Sequence, residues 1–411
     1  MNIQIQPHKL VGAVRIPSSK SMAHRLLICA SLSRGTSEIS GISFSKDIEA
    51  TISVMKALGA NFEIHDDTVL VTGILNRKAT AQADCCESGS TLRFLIPVAA
   101  ALGTETTFTG QGRLPQRPIT PYLRELTPKG ITFHDYHNTM PFTISGQLRS
   151  GKFQLEGDIS SQFVTGLLLA LPLLQEDSEI ILTSPLESRP YAEMTIDCME
   201  KFGVCTKEMI NGWHIFGSQH YHVRSLHTEG DFSQAAFFYV ANAIGNQIIL
   251  ENIPENSVQG DRKIIELIEK ICYQKNQSQD KFLIDAKDIP DLVPILAVLA
   301  TFSDKPTIIC NAHRLCIKES NRLETTANML NTLGGKVTIL PDGLEIYPAS
   351  LHGGIVDSAG DHRIAMCAAV AASRASAPVI IKGAECVEKS YPAFFEDYQK
   401  LGGICNGIHL E

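Results

Sequence analysis

No apolar run in the chain reaches the roughly 18–20 residues that a membrane-crossing helix needs, so no membrane segment is expected. The first residues, Met1-Asn2-Ile3-Gln4-Ile5-Gln6, show no basic stretch ahead of an apolar one, so no secretory leader is expected either. Eleven cysteines are present without one CxxC pair; Cys85 and Cys86 are adjacent and the rest are scattered. That spacing excludes a zinc pattern and a secreted disulfide framework, and it fits reduced thiols in a cytoplasmic protein. An excess of positive charge is also missing. The formal net charge is −8, which argues against nucleic acid as the main partner. No Gly/Ser/Pro-rich linker marks a boundary.

Present instead is an ordinary globular composition, 44% hydrophobic and 19% charged. At 411 residues the chain exceeds a typical single core, so two domains are expected. The strongest signal is internal repetition. Polar residues open a helix rich in small apolar side chains, a short β-branched strand follows, and then a polar loop and a second helix. The first helices start near Ser18, Ser88, Ser160, Asp231, Asp291 and Asp361, spaced by 70, 72, 71, 60 and 70 residues. The strands that follow include Glu179-Ile180-Ile181-Leu182, Gln247-Ile248-Ile249-Leu250 and Thr307-Ile308-Ile309-Cys310, all buried-strand candidates. Second helices stop at glycine in Leu58-Gly59, Phe202-Gly203, Leu333-Gly334 and Leu401-Gly402. Units this large are not those of a solenoid. Six of them in two groups of three is the simpler reading, with the divide near Thr228-Glu229-Gly230-Asp231 and a ligand cleft between the halves.

A helix N-terminus presents free N–H groups and partial positive charge, which suits phosphate or carboxylate. Here the helix starts carry Ser, Gly and basic residues: Pro17-Ser18-Ser19-Lys20-Ser21 leading to Arg25, and Glu87-Ser88-Gly89-Ser90-Thr91 leading to Arg93. Asp158-Ile159-Ser160-Ser161-Gln162 and Gly360-Asp361-His362-Arg363 are two more. Any one of these Ser or Asp residues serves equally as a simple N-cap. Loops after the strands add cations at Arg113 and Arg117, Arg189, Lys318 and Arg322, and Lys389. If they converge, they bind a polyanion.

Together these segments resemble the 5-enolpyruvylshikimate-3-phosphate synthases (3-phosphoshikimate 1-carboxyvinyltransferases). The combination Ser-Lys-Ser…Arg, Ser-Ser-Gln-Phe, Pro-Asp, Lys-Glu-Ser-x-Arg and Asp-His-Arg runs in the family's order from Ser18 to Lys389. The resemblance implies an α/β (α+β) fold of two similar domains. Each would hold three repeated β-α-β-α-β-β units, and the two would close over a central cleft. The expected bounds are 16–227 for the N-terminal domain, and 1–15 with 228–411 for the C-terminal one. It further implies a cytoplasmic monomer with no metal and no organic cofactor, acting on phosphoenolpyruvate and shikimate 3-phosphate.

By position, Lys20, Ser21, Arg25, Ser160, Ser161, Ser188, Tyr191, Asp291 and Lys318 match the shikimate 3-phosphate contacts. Lys20, Gly89, Arg117, Arg322, Arg363 and Lys389 match the phosphoenolpyruvate contacts, with Gln162 between the two substrates. The reaction protonates the methylene carbon while the 5-hydroxyl attacks C2, so it needs a base and an acid. Asp291 is the candidate base, and Glu319 the candidate proton donor. Lys20 is expected to stabilise developing charge, with His362 assisting. Asp291 also reads as the N-cap of a helix over 292–300, and Glu319 as a salt bridge to Arg322 three residues on.

Several positions depart from the family's usual pattern: Ser18 for Gly, Glu87 for Asn, Arg314 for Asn or Glu, Cys316 for Arg, and Asn321 for Asp. A related family uses UDP-N-acetylglucosamine as acceptor and carries a Cys in the loop that here reads Gly110-Gln111-Gly112-Arg113-Leu114-Pro115-Gln116. The RNA 3′-phosphate cyclases share a fold unit but need a nucleotide site that this sequence does not offer. A non-catalytic anion-binding protein is a third reading, opposed by Lys20, Asp291, Glu319 and His362 occurring together.

Overall fold

The computed structural model describes residues 1–273 and 280–408. The chain forms two compact units, one of Met1–Pro17 with Gly230–Glu411 and the other of Ser18–Glu229. Each unit has its own apolar core.

One repeat shows how all are built. Strand Lys152–Leu155 leads to helix Ser161–Ala170, and strand Ser178–Leu182 returns beside the first strand, in parallel. A parallel return needs a crossover, which the helix supplies. Helix Arg189–Lys201 follows, and the hairpin Thr206–Met209/Gly212–Ile215 completes the sheet antiparallel to Ser178–Leu182. The same order, one parallel pair and then two antiparallel ones, recurs around Glu105–Thr109 and Thr307–Cys310.

Elsewhere the chain closes the pattern with distant segments. Strand Thr36–Ser40 takes its parallel partner from Ser225–His227. Strand Val379–Lys382 takes its antiparallel partner from Asn2–Gln6, and Gln247–Glu251 takes its parallel partner from Val11–Arg15. The N-terminal residues therefore complete two sheets of the unit that also holds residues 230 onward.

First and second helices differ in burial for a reason visible in composition. First helices are apolar on every side, and so they are buried on every side. All residues of Val293–Thr301 and His362–Ala372 are buried, as are all but Ser90 in Gly89–Leu102. Second helices such as Lys46–Leu58 and Arg322–Thr332 bury one face only. Their stops are glycines with positive φ: +115° at Gly59, +80° at Gly203, +89° at Gly334 and +86° at Gly402. No helix among the described residues is long and apolar enough to cross a membrane.

Polar residues cap five of the six first helices. Ser19, Ser88, Ser160, Asp231 and Asp361 each accept a backbone N–H from the first turn of the helix that follows. The cap near Ser18 is thus Ser19. Asp291 is the exception, because the helix over 292–300 begins later than the sequence suggests. Pro290, with its fixed φ, opens a 3₁₀ turn Pro290–Leu292, and the α-helix runs Val293–Thr301. Asp291 is therefore not the N-cap of that α-helix, and its carboxylate meets Arg322 and Arg363.

Helices Gly89–Leu102 and Ser161–Ala170 approach closely at Gly166, where a Cβ would collide with Tyr122 Oη and the Arg93 carbonyl oxygen. Buried Tyr122 donates there to the carbonyls of Arg93 (2.6 Å) and Phe163 (3.0 Å). Gly166→Ala should therefore destabilise this unit by about 1–3 kcal/mol. Urea unfolding of the variant checks this; an unchanged midpoint would show that the contact relaxes freely.

Candidate active site

Within the unit Ser18–Glu229, three helix starts are tied together by one guanidinium. Arg25, on the helix Lys20–Leu32, is buried. It donates from Nη1 to the Ser21 carbonyl (2.7 Å) and from Nε to Thr195 Oγ1 (2.8 Å). Its Nη2 donates to the Tyr191 carbonyl (2.9 Å) and to Thr165 Oγ1 (3.3 Å). All four partners are neutral oxygens. Burial without a carboxylate lowers the Arg25 pKa to about 10, and leaves its charge uncompensated. Ser21, Ser160, Ser161, Ser188 and Tyr191 sit at the starts of the helices that Arg25 joins. Ser188 holds φ +57°, a left-handed conformation that costs a non-glycine residue of order 1–3 kcal/mol and concentrates at functional sites.

A second group in this unit surrounds Gly89. A Cβ there would lie 2.5 Å from Arg117 Nη1, so only glycine admits the guanidinium so close. Gln162 accepts from Arg93 Nη1 (2.7 Å) and donates to Ser90 Oγ (3.1 Å). Arg93 also stacks over the Phe163 ring, 4.9 Å from its centroid. Lys20 pairs with Asp47 at 2.9 Å. Lys20, Gly89, Arg117 and Gln162 are thus all in polar surroundings. Arg93 and Asp47 are added to them by contacts that sequence spacing does not show.

Carboxylates dominate the other unit. Arg322, 2% exposed, is held by three of them: Asp291 Oδ1 at 2.8 Å, Glu319 Oε2 at 2.6 Å and Asp361 Oδ2 at 2.8 Å. Of its five N–H groups, Nε, both of Nη2 and one of Nη1 are engaged. Asp291 also receives Arg363 Nη2 at 3.1 Å and faces Lys318 Nζ at 3.7 Å. Burial works to raise the Asp291 pKa, but Arg363, Lys318 and Arg322 outweigh it and hold the carboxyl well below its usual range. Burial lowers the Lys318 pKa, against the pull of Asp291. His362 lies buried beside Asp361, its Nδ1 4.0 Å from Oδ1. Lys389 is buried at the end of the turn Ala384–Lys389, which packs on the helix His362–Ala372. Among the described residues no three His, Cys, Asp or Glu side chains are arranged to hold a metal ion.

Comparison with known proteins decides the family. The sequence model of EPSP synthase (3-phosphoshikimate 1-carboxyvinyltransferase) matches residues 5–398. The chain belongs to the EPSP synthase family. It is 45% identical to the 3-phosphoshikimate 1-carboxyvinyltransferase of Clostridium kluyveri, over 98% of this chain and 97% of the relative. Identity is 42% to that of Clostridioides difficile, over 98% of both chains. Solved structures share the fold. An EPSP synthase from Acinetobacter baumannii superposes with a TM-score of 0.82 over 99% of this chain and 100% of its own, at 24% identity. The enolpyruvyl transferase NikO from Streptomyces tendae does so with a TM-score of 0.78 over 98% of both chains, at 15% identity.

Three of the departures from the family's usual pattern, at Ser18, Glu87 and Arg314, have local explanations. Ser18 is not among the described residues with positive φ, so the backbone there does not require glycine. Glu87 folds over the loop at Gly112 (φ +58°), where a Cβ would meet its Oε2 at 2.7 Å. Arg314 is buried and donates to the Lys287 carbonyl (2.9 Å). Cys316 is exposed, and nothing in the structure explains why it replaces Arg.

Asp261 is a buried carboxyl that sequence reading misses. It hydrogen-bonds Ser233, whose Oγ accepts from Arg363 Nη2 at 2.6 Å. Burial first, then the charge of Asp291, raises its pKa to about 7. An acid whose folded pKa lies above the unfolded value, about 3.9, binds more protons when folded, so its contribution to stability falls as pH rises from about 4 to 7. Relative to the native chain, Asp261→Asn should therefore be more stable at pH 8 than at pH 5, by about 2 kcal/mol. Denaturant unfolding at both pH values reads this, and equal differences would refute a protonated Asp261.

Proposed function

We propose that the chain transfers the enolpyruvyl group of phosphoenolpyruvate to the 5-hydroxyl of shikimate 3-phosphate by addition and elimination. The observation that carries this is the Asp291–Arg322–Glu319–Asp361 cluster, built on buried Arg322 and Asp361 and flanked by Lys318 and Arg363, in a member of the EPSP synthase family. The 5-hydroxyl oxygen bonds to C2 and gives its proton to Asp291. The methylene carbon takes a proton from Glu319, which acts in its protonated form, and a tetrahedral intermediate results. Glu319, now a carboxylate, takes a proton back from the new methyl group as phosphate leaves C2, which restores the double bond. Lys20 stabilises charge on the departing phosphate, and His362 assists.

Ser21, Arg25, Ser160, Ser161, Ser188, Tyr191 and Lys318 are assigned to shikimate 3-phosphate. The uncompensated charge of Arg25 supports that assignment. Gly89, Arg117, Arg322, Arg363 and Lys389 are assigned to phosphoenolpyruvate, with Gln162 serving both. Arg322 keeps one N–H without a partner among the described residues, which suits one hydrogen bond to an anion. On this reading the protein is a cytoplasmic monomer that needs neither metal nor organic cofactor, and neither nucleic acid nor membrane as partner.

The low pKa of Asp291 has a chemical consequence. The carboxylate is ionised at neutral pH but is a weak base while Arg363 and Lys318 face it. A phosphate or carboxylate bound to those cations weakens their hold and strengthens the base.

Phosphate release from phosphoenolpyruvate tests the reading with shikimate 3-phosphate and, separately, UDP-N-acetylglucosamine as acceptor. Release with the first alone is expected; release only with the sugar nucleotide, or with neither, overturns it. Glu319→Gln should lower turnover about 10²-fold or more while shikimate 3-phosphate still binds. Unchanged turnover removes Glu319 from the mechanism. The acid limb of kcat, set by the complex, should lie at higher pH than that of kcat/KM, set by the free enzyme. Coincident limbs would show that substrates do not raise Asp291.

A further inference from the structure

Beneath the helix start at Ser88–Gly89 runs a buried chain of hydrogen bonds that the reaction does not use. His24 Nδ1 lies 2.7 Å from Thr51 Oγ1, which lies 2.7 Å from Thr91 Oγ1, which lies 2.8 Å from Ser88 Oγ. All four side chains are buried. They come from three helices: Lys20–Leu32, Lys46–Leu58 and Gly89–Leu102 with its cap. The chain ends on the oxygen that caps the third helix by accepting the Thr91 N–H (3.2 Å). At the same junction Thr91 Oγ1 reaches the Asp47 carbonyl (3.4 Å), and the Asp47 carboxylate holds Lys20.

The direction of the chain follows from its far end. Burial, then Lys20 and Arg25, keep the His24 pKa well below its ordinary value, so the ring is neutral and carries one N–H. Nε2 has no hydrogen-bond partner among the described residues, and the ring edge packs against Phe94. A buried N–H without an acceptor is rarer than a lone pair without a donor. The proton therefore sits on Nδ1 and is given to Thr51. Thr51 in turn gives its own to Thr91, and Thr91 gives to Ser88. Thr51 is left with one orientation, and the Thr91 hydroxyl is shared between Ser88 Oγ and the Asp47 carbonyl, so the chain ties the three helices together as a strut.

We infer that His24 and Thr51 are positioning residues: through Thr91 and Ser88 they set the helix start at Gly89 against Lys20, and thereby phosphoenolpyruvate binding. This rests on the assignment of Lys20 and Gly89 to phosphoenolpyruvate above. Neither His24 nor Thr51 is assigned to a substrate, so their effect passes through the strut.

Thr51→Val keeps shape and removes two links. Losing them leaves the buried His24 N–H without an acceptor and Thr91 without its donor, and loosens the helix start, so the KM for phosphoenolpyruvate should rise about fivefold to tenfold. The KM for shikimate 3-phosphate and kcat should stay within about twofold, since the Arg25 contacts do not pass through the strut. Thr51→Ser restores the hydroxyl and should restore the native KM. His24→Asn, with an amide N–H near the Nδ1 position, should resemble the native chain, whereas His24→Leu should resemble Thr51→Val. That second pair keeps the test decisive if Thr51→Val folds poorly. An unchanged phosphoenolpyruvate KM in both breaking variants, an equal rise for both substrates, or no rescue by Thr51→Ser overturns the inference. Failure of the native chain to release phosphate with shikimate 3-phosphate would instead overturn the assigned reaction. Retained binding of phosphoenolpyruvate by both breaking variants, measured by calorimetry, would still refute the strut in that case.

Discussion

Arg322 is the charge around which the unit of Met1–Pro17 and Gly230–Glu411 is organised. It is buried, and the carboxylates it meets come from three stretches of chain, at Asp291, Glu319 and Asp361. Removing a guanidinium from water costs several kcal/mol, and only well-placed, fully bonded partners offset it. Here they do so at a further demand. Three carboxylates around one cation repel one another, and Arg363 and Lys318 at Asp291 bring the cluster back to three of each sign. Asp361 carries a second duty, capping the helix His362–Ala372 through Arg363 N–H. The position of that helix and the position of Arg322 are therefore set by one carboxylate.

The unit Ser18–Glu229 buries charge by the opposite means. Arg25 is surrounded by two carbonyls and two threonine hydroxyls, with no carboxylate. Neutral oxygens solvate a guanidinium without cancelling it, so its field remains available to an anion. In the other unit the cations are spent on carboxylates, and their effect is to set how tightly those acids hold protons. One arrangement suits binding polyanions; the other suits proton transfer.

The repeat was legible in the sequence because each unit spells the same local grammar. A helix that is apolar on all sides needs a polar cap, and a parallel strand needs a β-branched run after it. Those signals lie within about 30 residues and involve no distant partner. Asp291 misled for the same reason. Its Pro-Asp context reads locally as a cap, but Pro290 starts a 3₁₀ turn and frees the carboxylate for Arg322 and Arg363, both distant in sequence. Asp47 and Asp261 escaped, and Arg93 was noted at a helix start but without its partner, because their contacts are also long-range, 27 residues to Lys20 in the case of Asp47 and 69 to Gln162 in the case of Arg93. The strut from His24 to Ser88 joins three helices and has no sequence signature at all.

Asn321 shows how the organising charge absorbs a departure. The family's usual Asp would add a negative charge beside an arginine that already meets three carboxylates at 2.6–2.8 Å. A fourth would raise the repulsion that Lys318 and Arg363 must balance, and the Asn321 side-chain oxygen is itself buried with no hydrogen-bond partner among the described residues. Asn321 instead serves the helix Arg322–Thr332 with its backbone, the carbonyl accepting from Thr325 N–H (2.9 Å). The charge missing at this position is thus one that the cluster, as built, can do without.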